Sequence, residues 1–356
     1  MSSVILRPLA KSFGRCLLMG AALLAAFGYF RTHWTNSTSE LTASVAWKDF
    51  AYVTYATDTD YLCNSLMLLE SLHRLQGKAD RLLLYSQEWH EDDYSIESRL
   101  LRKARDDYQA VLKPIKLQTI YTKNSERTWE SSFTKLLAFN QSQYRRVLSL
   151  DSDSTLLRPM DELFLQPSAP VAMPRAYWRE SDANKEIKFC NAVALIEPSS
   201  IEYQRLQREI VVQRPGDYDM DIMNRLYGSS CLELPHRPYL LLSGELGKAD
   251  HKAYMGRRAL PWSAEYVSAE AKYVHFSDWP LSKPWLPMQR HLRGDVRPTC
   301  EANEHDISLV DCEDQQAWDW LYQDFRQRRL NVCGPMFDKW TKIETLQEAQ
   351  AKMDLS

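Results

Sequence analysis

Strand-like and helix-like segments alternate over residues 51–150, and this alternation restricts the fold more than any other feature of the chain. Short β-branched, aromatic or aliphatic runs predict strands, and apolar residues at helical spacing predict helices. The predicted strands are residues 51–56, 81–86, 112–120 and 147–150. The predicted helices between them are residues 61–74, 96–107 and 133–143. Such alternation predicts a parallel sheet covered by helices on both faces.

Acidic side chains follow two of these predicted strands. Asp151 and Asp153 come directly after residues 147–150, and Thr57 and Asp58 come directly after residues 51–56. Carboxyl ends of parallel strands meet at one edge of the sheet, where ligands bind. Buried carboxylates are costly unless a cation meets them, and oxygen ligands suit Mg²⁺, Mn²⁺ or Ca²⁺. We expect a divalent cation carrying a phosphate-containing ligand; a turn capped by the acids is the alternative.

The later part of the chain supplies further polar groups. Residues 191–197 predict a strand and residues 201–211 a helix. The next predicted helix starts near Tyr218 and has Asp219 and Asp221 in its first turn, where the helix dipole favours acids in any protein.

A last predicted strand, residues 272–276, ends near His275, and Lys283 follows on the same loop. An isolated histidine is most often structural. Here an imidazole and an ammonium group lie on one loop, which makes both candidates for the phosphate site. Residues 313–328 predict a surface helix to which the sequence assigns no role.

The charge balance excludes one class of partner. The chain has 44 basic and 47 acidic side chains and a formal net charge of -3. No basic surface for a polyanion is indicated, so we expect no nucleic-acid binding.

The N-terminal residues resemble a membrane signal. Arg7, Lys11 and Arg15 precede an apolar run at residues 16–30. The pattern predicts an uncleaved signal anchor, with residues 1–15 in the cytosol, 16–31 in the membrane and 32–46 as a luminal stem. Asn36 in that stem begins an N-glycosylation motif. Cleavage and secretion are the alternative.

Six cysteines follow the apolar run: Cys63, Cys190, Cys231, Cys300, Cys312 and Cys333. In an oxidising lumen we expect some of them to pair. A bond between Cys300 and Cys312 is one hypothesis. No Cys-x-x-Cys or His-x-His spacing indicates zinc.

Four blocks of sequence, in order along residues 49–285, are similar to a known family. They are YVTYATDTDY at 52–61, TKL at 134–136 with LSLDSDS at 148–154, YDMDIMN at 218–224, and VHF at 274–276 with KPW at 283–285. Together they resemble the glycogenin-like retaining glycosyltransferases (family 8). Within that family the chain looks like the fungal Golgi N-acetylglucosaminyltransferases, the glucose N-acetyltransferase type.

The resemblance implies a nucleotide-diphospho-sugar transferase fold (α/β, GT-A type, Rossmann-like) and three groups of site residues. The Mn²⁺ ligands would be Asp151, Asp153 and His275. The residues that hold the UDP part of the donor would be Tyr55, Thr57, Asp58, Tyr61, Lys135, Ser152 and Lys283. The catalytic residues near the transferred sugar would be Asp219, Asn191 and Lys135. The metal and Lys283 would neutralise the departing diphosphate, so no proton need be delivered to it.

One departure from the family pattern concerns the sugar site. The family often has glutamine where Met220 stands, so an amide near the anomeric carbon is missing. Asp219 or Asp221 could fill part of that space, and the sequence leaves both open.

The sequence therefore predicts a catalytic domain at residues 47–288 and a C-terminal extension of unknown role at 289–356. The expected protein is a single-pass type II enzyme of the Golgi membrane that transfers N-acetylglucosamine from UDP-GlcNAc, with retention, to a mannose-type or cell-wall glycan. UDP-glucose, UDP-galactose or UDP-xylose are alternative donors. A non-catalytic sugar-nucleotide-binding Golgi protein is the alternative of another class.

Overall fold

The computed structural model describes residues 45–119, 131–179, 187–214, 216–256, 261–278, 281, 283–286, 294–302 and 310–339. The predicted cytosolic tail, membrane helix and most of the stem, residues 1–44, lie outside the described residues. Within the described part of the chain, no helix has both the length and the apolar character that a bilayer span requires.

The described residues contain twelve strands, eight α-helices with both ends described, and further helical residues at 294–296. The strands are β1 (Phe50–Ala56), β2 (Asp80–Ser86), β3 (Ala110–Ile115), β4 (Arg146–Leu150), β5 (Ser154–Leu156), β6 (Val171–Pro174), β7 (Val193–Ile196), β8 (Leu232–Leu234), β9 (Leu241–Leu242), β10 (Tyr273–His275), β11 (Glu301–Ala302) and β12 (Val310–Asp311). The α-helices are α1 (Thr59–Arg74), α2 (Ile96–Tyr108), α3 (Ser200–Val211), α4 (Asp219–Tyr227), α5 (His236–Tyr239), α6 (Lys252–Met255), α7 (Ala264–Glu270) and α8 (Glu313–Cys333). The 3₁₀ segments are Trp47–Asp49, Ser132–Asn140, Asp161–Leu165, Tyr177–Arg179, Ser243–Gly247 and Pro335–Phe337.

The central sheet has the strand order β3-β2-β1-β4-β7-β6-β8. Strands β1 to β4 are mutually parallel, as the alternation predicted. The other half differs, since β7 is antiparallel to both β4 and β6. A parallel connection needs a long crossover, usually a helix. Between β4 and β7 the described chain contains short strands and 3₁₀ turns instead, so the fold is mixed α/β with a parallel-rich sheet.

Helix α1 shows why the N-terminal half forms as it does. Asp58 caps the helix by accepting a hydrogen bond from the backbone N–H of Tyr61 at 2.8 Å. The leucine stripe, including Leu62, Leu66 and Leu69, is fully buried. This cap and this stripe fix where the chain turns after β1.

Two predicted helices differ from their predictions in the structure. The helix predicted over residues 133–143 is the 3₁₀ segment Ser132–Asn140, with Thr134 and Lys135 buried. Helix α8 was predicted as a surface helix, but Trp318 and Phe325 on one face are fully buried. The apolar stripe of α8 is therefore part of the core.

Two disulfides tie the C-terminal part of the chain. The predicted bond between Cys300 and Cys312 is present. The second joins Cys63 in α1 to Cys333 at the end of α8, a pair separated by 270 residues that the sequence did not indicate. Cys190 and Cys231 are free thiols.

Candidate active site

Strand pairing brings His275 to the acidic segment after β4. Strands β5 and β10 are antiparallel, with His275 opposite Ser154. The Nε2 atom of His275 lies 3.2 Å from Oδ1 of Asp153, and the backbone N–H of Phe276 donates to the Asp153 carbonyl at 3.0 Å. Two segments more than 100 residues apart in sequence thus meet in fixed register.

Asp151, Asp153 and His275 have the arrangement that a metal site requires. One potential ligand atom from each lies within 4.8 Å of the other two. The Nδ1 atom of His275 is buried and has no hydrogen-bond partner among the described residues. The backbone is also fixed, because the Ser154 hydroxyl and the Tyr273 hydroxyl donate to the Asp151 carbonyl at 2.7 and 2.9 Å. These two carboxylates and the imidazole fit a divalent cation.

Lys135 bridges two buried carboxylates. Its Nζ lies 2.8 Å from Oδ2 of Asp151 and 2.8 Å from Oδ2 of Asp219. The amide of Asn191 donates to the same oxygen of Asp219 at 2.7 Å. The three residues predicted to surround the transferred sugar therefore form one connected cluster.

Lys283 reaches the acidic segment from the loop after β10. Its Nζ donates to Oδ2 of Asp153 at 2.6 Å and to the Phe276 carbonyl at 3.2 Å. The two lysines thus contact different carboxylates of the acidic pair, and each lies where it could meet an anionic ligand.

Burial and ion pairing act on the carboxyl groups in opposite directions. Burial raises the pKa of Asp151, and the nearby Lys135 offsets this in part. Burial alone would also raise the pKa of Asp153, but Lys283 and His275 outweigh it and hold that pKa well below its usual range. For Asp219, Lys135 and Asn191 likewise outweigh burial and lower the pKa. The cluster therefore contains buried carboxyl groups whose pKa values are shifted by burial and by neighbouring cations, as is common at functional sites.

A cavity of about 300 Å³ lies over this cluster, at the lower end of the range for ligand pockets. Of the predicted site residues, it is lined by Tyr55, Thr57, Tyr61, Lys135, Asp151, Asp153, Asn191, Asp219, His275 and Lys283. Asp58 and Ser152 do not line it. Asp58 is the exposed cap of α1, and Ser152 is buried with no hydrogen-bond partner for its hydroxyl among the described residues.

Comparison with known proteins places the chain in a family. No family model matches it. Over 304 residues it is 45% identical to glucose N-acetyltransferase 1 of Gibberella zeae, covering 83% of this chain and 66% of that protein. Over 303 residues it is 41% identical to glucose N-acetyltransferase 1 of Aspergillus fumigatus, covering 81% of this chain and 78% of that protein. The chain belongs to the glucose N-acetyltransferase 1 family.

A solved structure shares the fold of this family member. The bifunctional glycosyltransferase WbbM in its apo form superposes with a TM-score of 0.52 and 15% identity, over 81% of this chain and 51% of that one. The likeness supports the GT-A class of fold. The likeness concerns the fold alone. The two relatives confirm the predicted family and the prediction that this glucose N-acetyltransferase family member is an enzyme of the transferase class.

In this glucose N-acetyltransferase family member, the sequence left open whether Asp219 or Asp221 fills the space of the missing amide. The structure gives the two carboxylates different contacts. Asp221 also lines the cavity, but its carboxylate accepts a hydrogen bond from the backbone N–H of Tyr218 at 3.0 Å and so caps α4. Asp219 instead joins the cluster around Lys135. Met220 lines the cavity where the family pattern often has an amide.

Several lining residues were not among the predicted ones. They are Ser131, Ser132, Trp178, Arg179, Cys190, Ala192, Tyr218, Leu242 and Ser277. Trp178 and Arg179 belong to a 3₁₀ turn that reaches the cavity only through tertiary folding. No motif or spacing in the sequence marks them, so sequence reasoning had no signal for them.

Proposed function

We propose that the protein is a Mn²⁺-dependent retaining glycosyltransferase that transfers N-acetylglucosamine from UDP-GlcNAc to a glycan. The observation that carries the proposal is the convergence of Asp151, Asp153 and His275 in a cavity that also contains Lys135 and Lys283. The relatives from Gibberella zeae and Aspergillus fumigatus are named glucose N-acetyltransferase 1, a name that links glucose with an N-acetyl group and agrees with N-acetylglucosamine as the transferred sugar.

Mn²⁺ is the metal that best suits this set of ligands. Carboxylates suit Mg²⁺, Ca²⁺ and Mn²⁺, whereas an imidazole ligand suits transition metals. Asp151, Asp153 and His275 combine both kinds of ligand. The bound ion would supply positive charge to the diphosphate leaving group.

The lysines would supply the remaining charge at fixed positions. Lys283 contacts Asp153 at 2.6 Å, so its ammonium group lies beside the metal ligands and adds a point charge for a phosphate oxygen. Lys135 lies 2.8 Å from Oδ2 of both Asp151 and Asp219, so its positive charge favours the ionised form of each buried carboxylate. It lowers the pKa of Asp219 and offsets part of the rise that burial causes in the pKa of Asp151. Stabilisation of a developing negative charge by such preorganised groups is usually the largest contribution to catalysis.

Front-face attack suits retention at this site. The family resemblance places Asp219 beside the transferred sugar, but in the structure this carboxylate pairs with Lys135 and accepts a hydrogen bond from Asn191. Both contacts lower its reactivity as a nucleophile. We propose that the acceptor hydroxyl attacks the anomeric carbon on the face from which UDP departs, without a covalent sugar–enzyme intermediate.

A Golgi location with the catalytic part in the lumen belongs to the same proposal. The disulfides Cys63–Cys333 and Cys300–Cys312 suit an oxidising compartment. The basic residues and apolar run at residues 1–31 support a type II signal anchor. Retention of the protein in membranes after alkaline carbonate extraction would test the anchor.

The reaction is tested by incubating the full-length protein with Mn²⁺ and, separately, UDP-GlcNAc, UDP-glucose, UDP-galactose and UDP-xylose. We expect the fastest release of UDP from UDP-GlcNAc, and loss of more than about 100-fold with Asp153→Asn. Asp217→Asn, which removes a surface carboxylate paired with Arg225, is the matched control. Faster turnover of another donor would assign that donor instead. UDP binding without any release would favour the non-catalytic alternative.

A further inference from the structure

The loop that carries Lys283 is held by α8. We call residues 276–285 the Lys283 loop; residues 276–278, 281 and 283–285 of it are described. The ammonium group of Lys283 is carried on a flexible four-carbon side chain, so its contact with Asp153 depends on where the backbone of this loop lies. The contacts that fix the loop therefore bear on the site.

Aromatic packing covers both ends of the Lys283 loop. The Phe276 ring packs against Tyr322 and Phe325 of α8 at centroid distances of 5.2 and 5.0 Å. Trp285 packs against Phe325 at 6.2 Å and against Tyr61 at 5.2 Å. Apolar burial at these contacts is non-directional and holds the loop on α8, and the edge-to-face ring pairs add a preferred orientation.

Asp278 supplies the directional contacts. Its carboxylate accepts hydrogen bonds from Nε1 of Trp318 at 2.9 Å, from the Tyr322 hydroxyl at 2.8 Å and from the Ser243 hydroxyl. Asp278 is 8% exposed. Among the described residues its hydrogen-bond donors are all uncharged groups, and the directions of their three hydrogen bonds fix the carboxyl group in place.

The opposite side of the loop packs closely against the 3₁₀ segment that contains Ser243 and Gly244. The Ser243 hydroxyl accepts from the backbone N–H of Ser277 at 3.0 Å. A Cβ added to Gly244 would lie 2.8 Å from the Ser277 carbonyl oxygen, a distance that requires the backbone to shift. Residues 276–278 of the loop are thus confined between α8 and the 3₁₀ segment Ser243–Gly247.

We propose that Asp278 is a positioning residue, which holds the Lys283 ammonium group at the donor diphosphate by fixing the Lys283 loop to α8. This inference rests on the proposed function, because it assigns to Lys283 a diphosphate contact. It gives α8, which the sequence left without a role, a part in donor binding.

The first test is a double-mutant cycle in the full-length protein with Mn²⁺ and UDP-GlcNAc. Asp278→Asn keeps the size of the side chain but leaves one acceptor oxygen where the carboxyl group presents two. Either the indole N–H of Trp318 loses its acceptor, or the hydroxyls of Tyr322 and Ser243 must reverse their hydrogen bonds to this side chain. We expect kcat/KM to fall at least about tenfold, with a rise in KM for the donor. In a Lys283→Ala background the same change should cost less than about twofold, since the group it positions is gone.

The matched control is Asp314→Asn. Asp314 is also on α8 and accepts the indole N–H of Trp262 at 2.7 Å, but it does not line the cavity. This change should leave kcat/KM within about twofold of the unmodified protein. Gly244→Ala is an independent variant that displaces Ser277 from the other side, and it should reproduce the rise in KM.

A second measurement does not depend on turnover. Amide hydrogen exchange in residues 276–286 should be at least about tenfold faster in Asp278→Asn than in Asp314→Asn, with exchange in the β1 peptide unchanged. The inference would be overturned if Asp278→Asn lowered kcat/KM by the same factor with and without Lys283. It would also be overturned if this change left amide hydrogen exchange in the loop unaltered. If the unmodified protein releases no UDP, the proposed function fails, and hydrogen exchange alone then decides whether Asp278 fixes the loop.

Discussion

Lys135 neutralises the most buried part of the site. Its side chain is 7% exposed and lies between Asp151 and Asp219. Burial by itself lowers the pKa of an ammonium group, but the two carboxylates outweigh it and raise the pKa of Lys135. The lysine therefore stays charged, and it keeps two acids together that would otherwise repel each other.

Lys135→Met should affect both stability and turnover. It leaves two buried carboxylates without their cation, so we expect the free energy of unfolding to fall by about 3 kcal/mol. UDP release should fall by more than about 100-fold. Urea unfolding and the UDP assay measure the two effects. Lys113→Met is the matched control, because Lys113 donates to the neutral amide of Gln141 at 2.9 Å. Equal stability of the two variants would contradict the ion-pair account.

Glu162 provides a pH-dependent contribution away from the site. Burial alone would raise its pKa, but hydrogen bonds from Lys272 and Tyr239 lower it below the usual 4.5. The folded form thus holds the proton less tightly, so the stabilisation is present above pH 4.5 and is lost as the pH falls through the lowered pKa.

For Glu162→Gln we expect a loss of about 0.5 kcal/mol at pH 7, since the carboxylate is 43% exposed and screened by water. At pH 3 the difference from the unmodified protein should shrink. Thermal unfolding of both proteins at the two pH values measures it. If the stability difference between the two proteins grew in acid, the direction of the pKa shift assigned to Glu162 would be wrong.

At the scale of elements, α8 is more than the surface helix that its polar composition predicted. Arg329 of α8 is buried and donates to Asp60 at 2.6 Å, and it also bonds to Asn64 in α1. The bond between Cys63 and Cys333 joins the same two helices. Helix α8 is thus attached to α1, which follows the strand that carries Tyr55.

Removing the two disulfides should have unequal effects. The stabilisation from a disulfide grows with the length of the loop it closes. The pairs are 270 and 12 residues apart in sequence. We expect Cys63→Ser with Cys333→Ser to cost about 3 kcal/mol more than Cys300→Ser with Cys312→Ser. Urea unfolding of the two double variants tests this, and an equal or reversed order would refute the loop-length argument.

The sequence predicted elements where local pattern decides them. The apolar runs of β1, β2 and β4 and the leucine stripe of α1 are periodic signals, and each lies within about four residues of its prediction. The direction of β7 was not predictable, because four apolar residues such as Val193–Ile196 have the same pattern in either direction. The pairing of Cys63 with Cys333 was also hidden, since six cysteines allow many pairings.

For the molecule as a whole, strand order explains why the site forms where it does. From β1 the chain goes to β2 on one side of the sheet, and β4 then pairs with β1 on the other side. A ligand crevice forms where strand order reverses in this way. Thr57 follows β1 and Asp151 follows β4, so the sequence could predict their meeting. His275 needed the pairing of β5 with β10, which no local pattern encodes.

Mn²⁺ should stabilise the entire fold. A ligand that binds the folded form at 100 times its Kd adds about 2.7 kcal/mol to the free energy of unfolding. We expect Mn²⁺ to raise the Tm of the full-length protein and EDTA to reverse the rise. His275→Ala should reduce the shift. His251→Ala, which removes an imidazole stacked on Trp262 at 3.6 Å, should keep it. A Tm that does not respond to Mn²⁺ would refute the metal assignment.

The span of the Cys63–Cys333 bond has a consequence for biosynthesis. A ribosome that has just made Cys63 must add 270 further residues before its partner exists. During that time the thiol of Cys63 is exposed to Cys190 and Cys231, which stay unpaired in the finished protein. Correct oxidation of this chain therefore depends on α1 burying Cys63 early, or on an isomerase that reverses premature bonds.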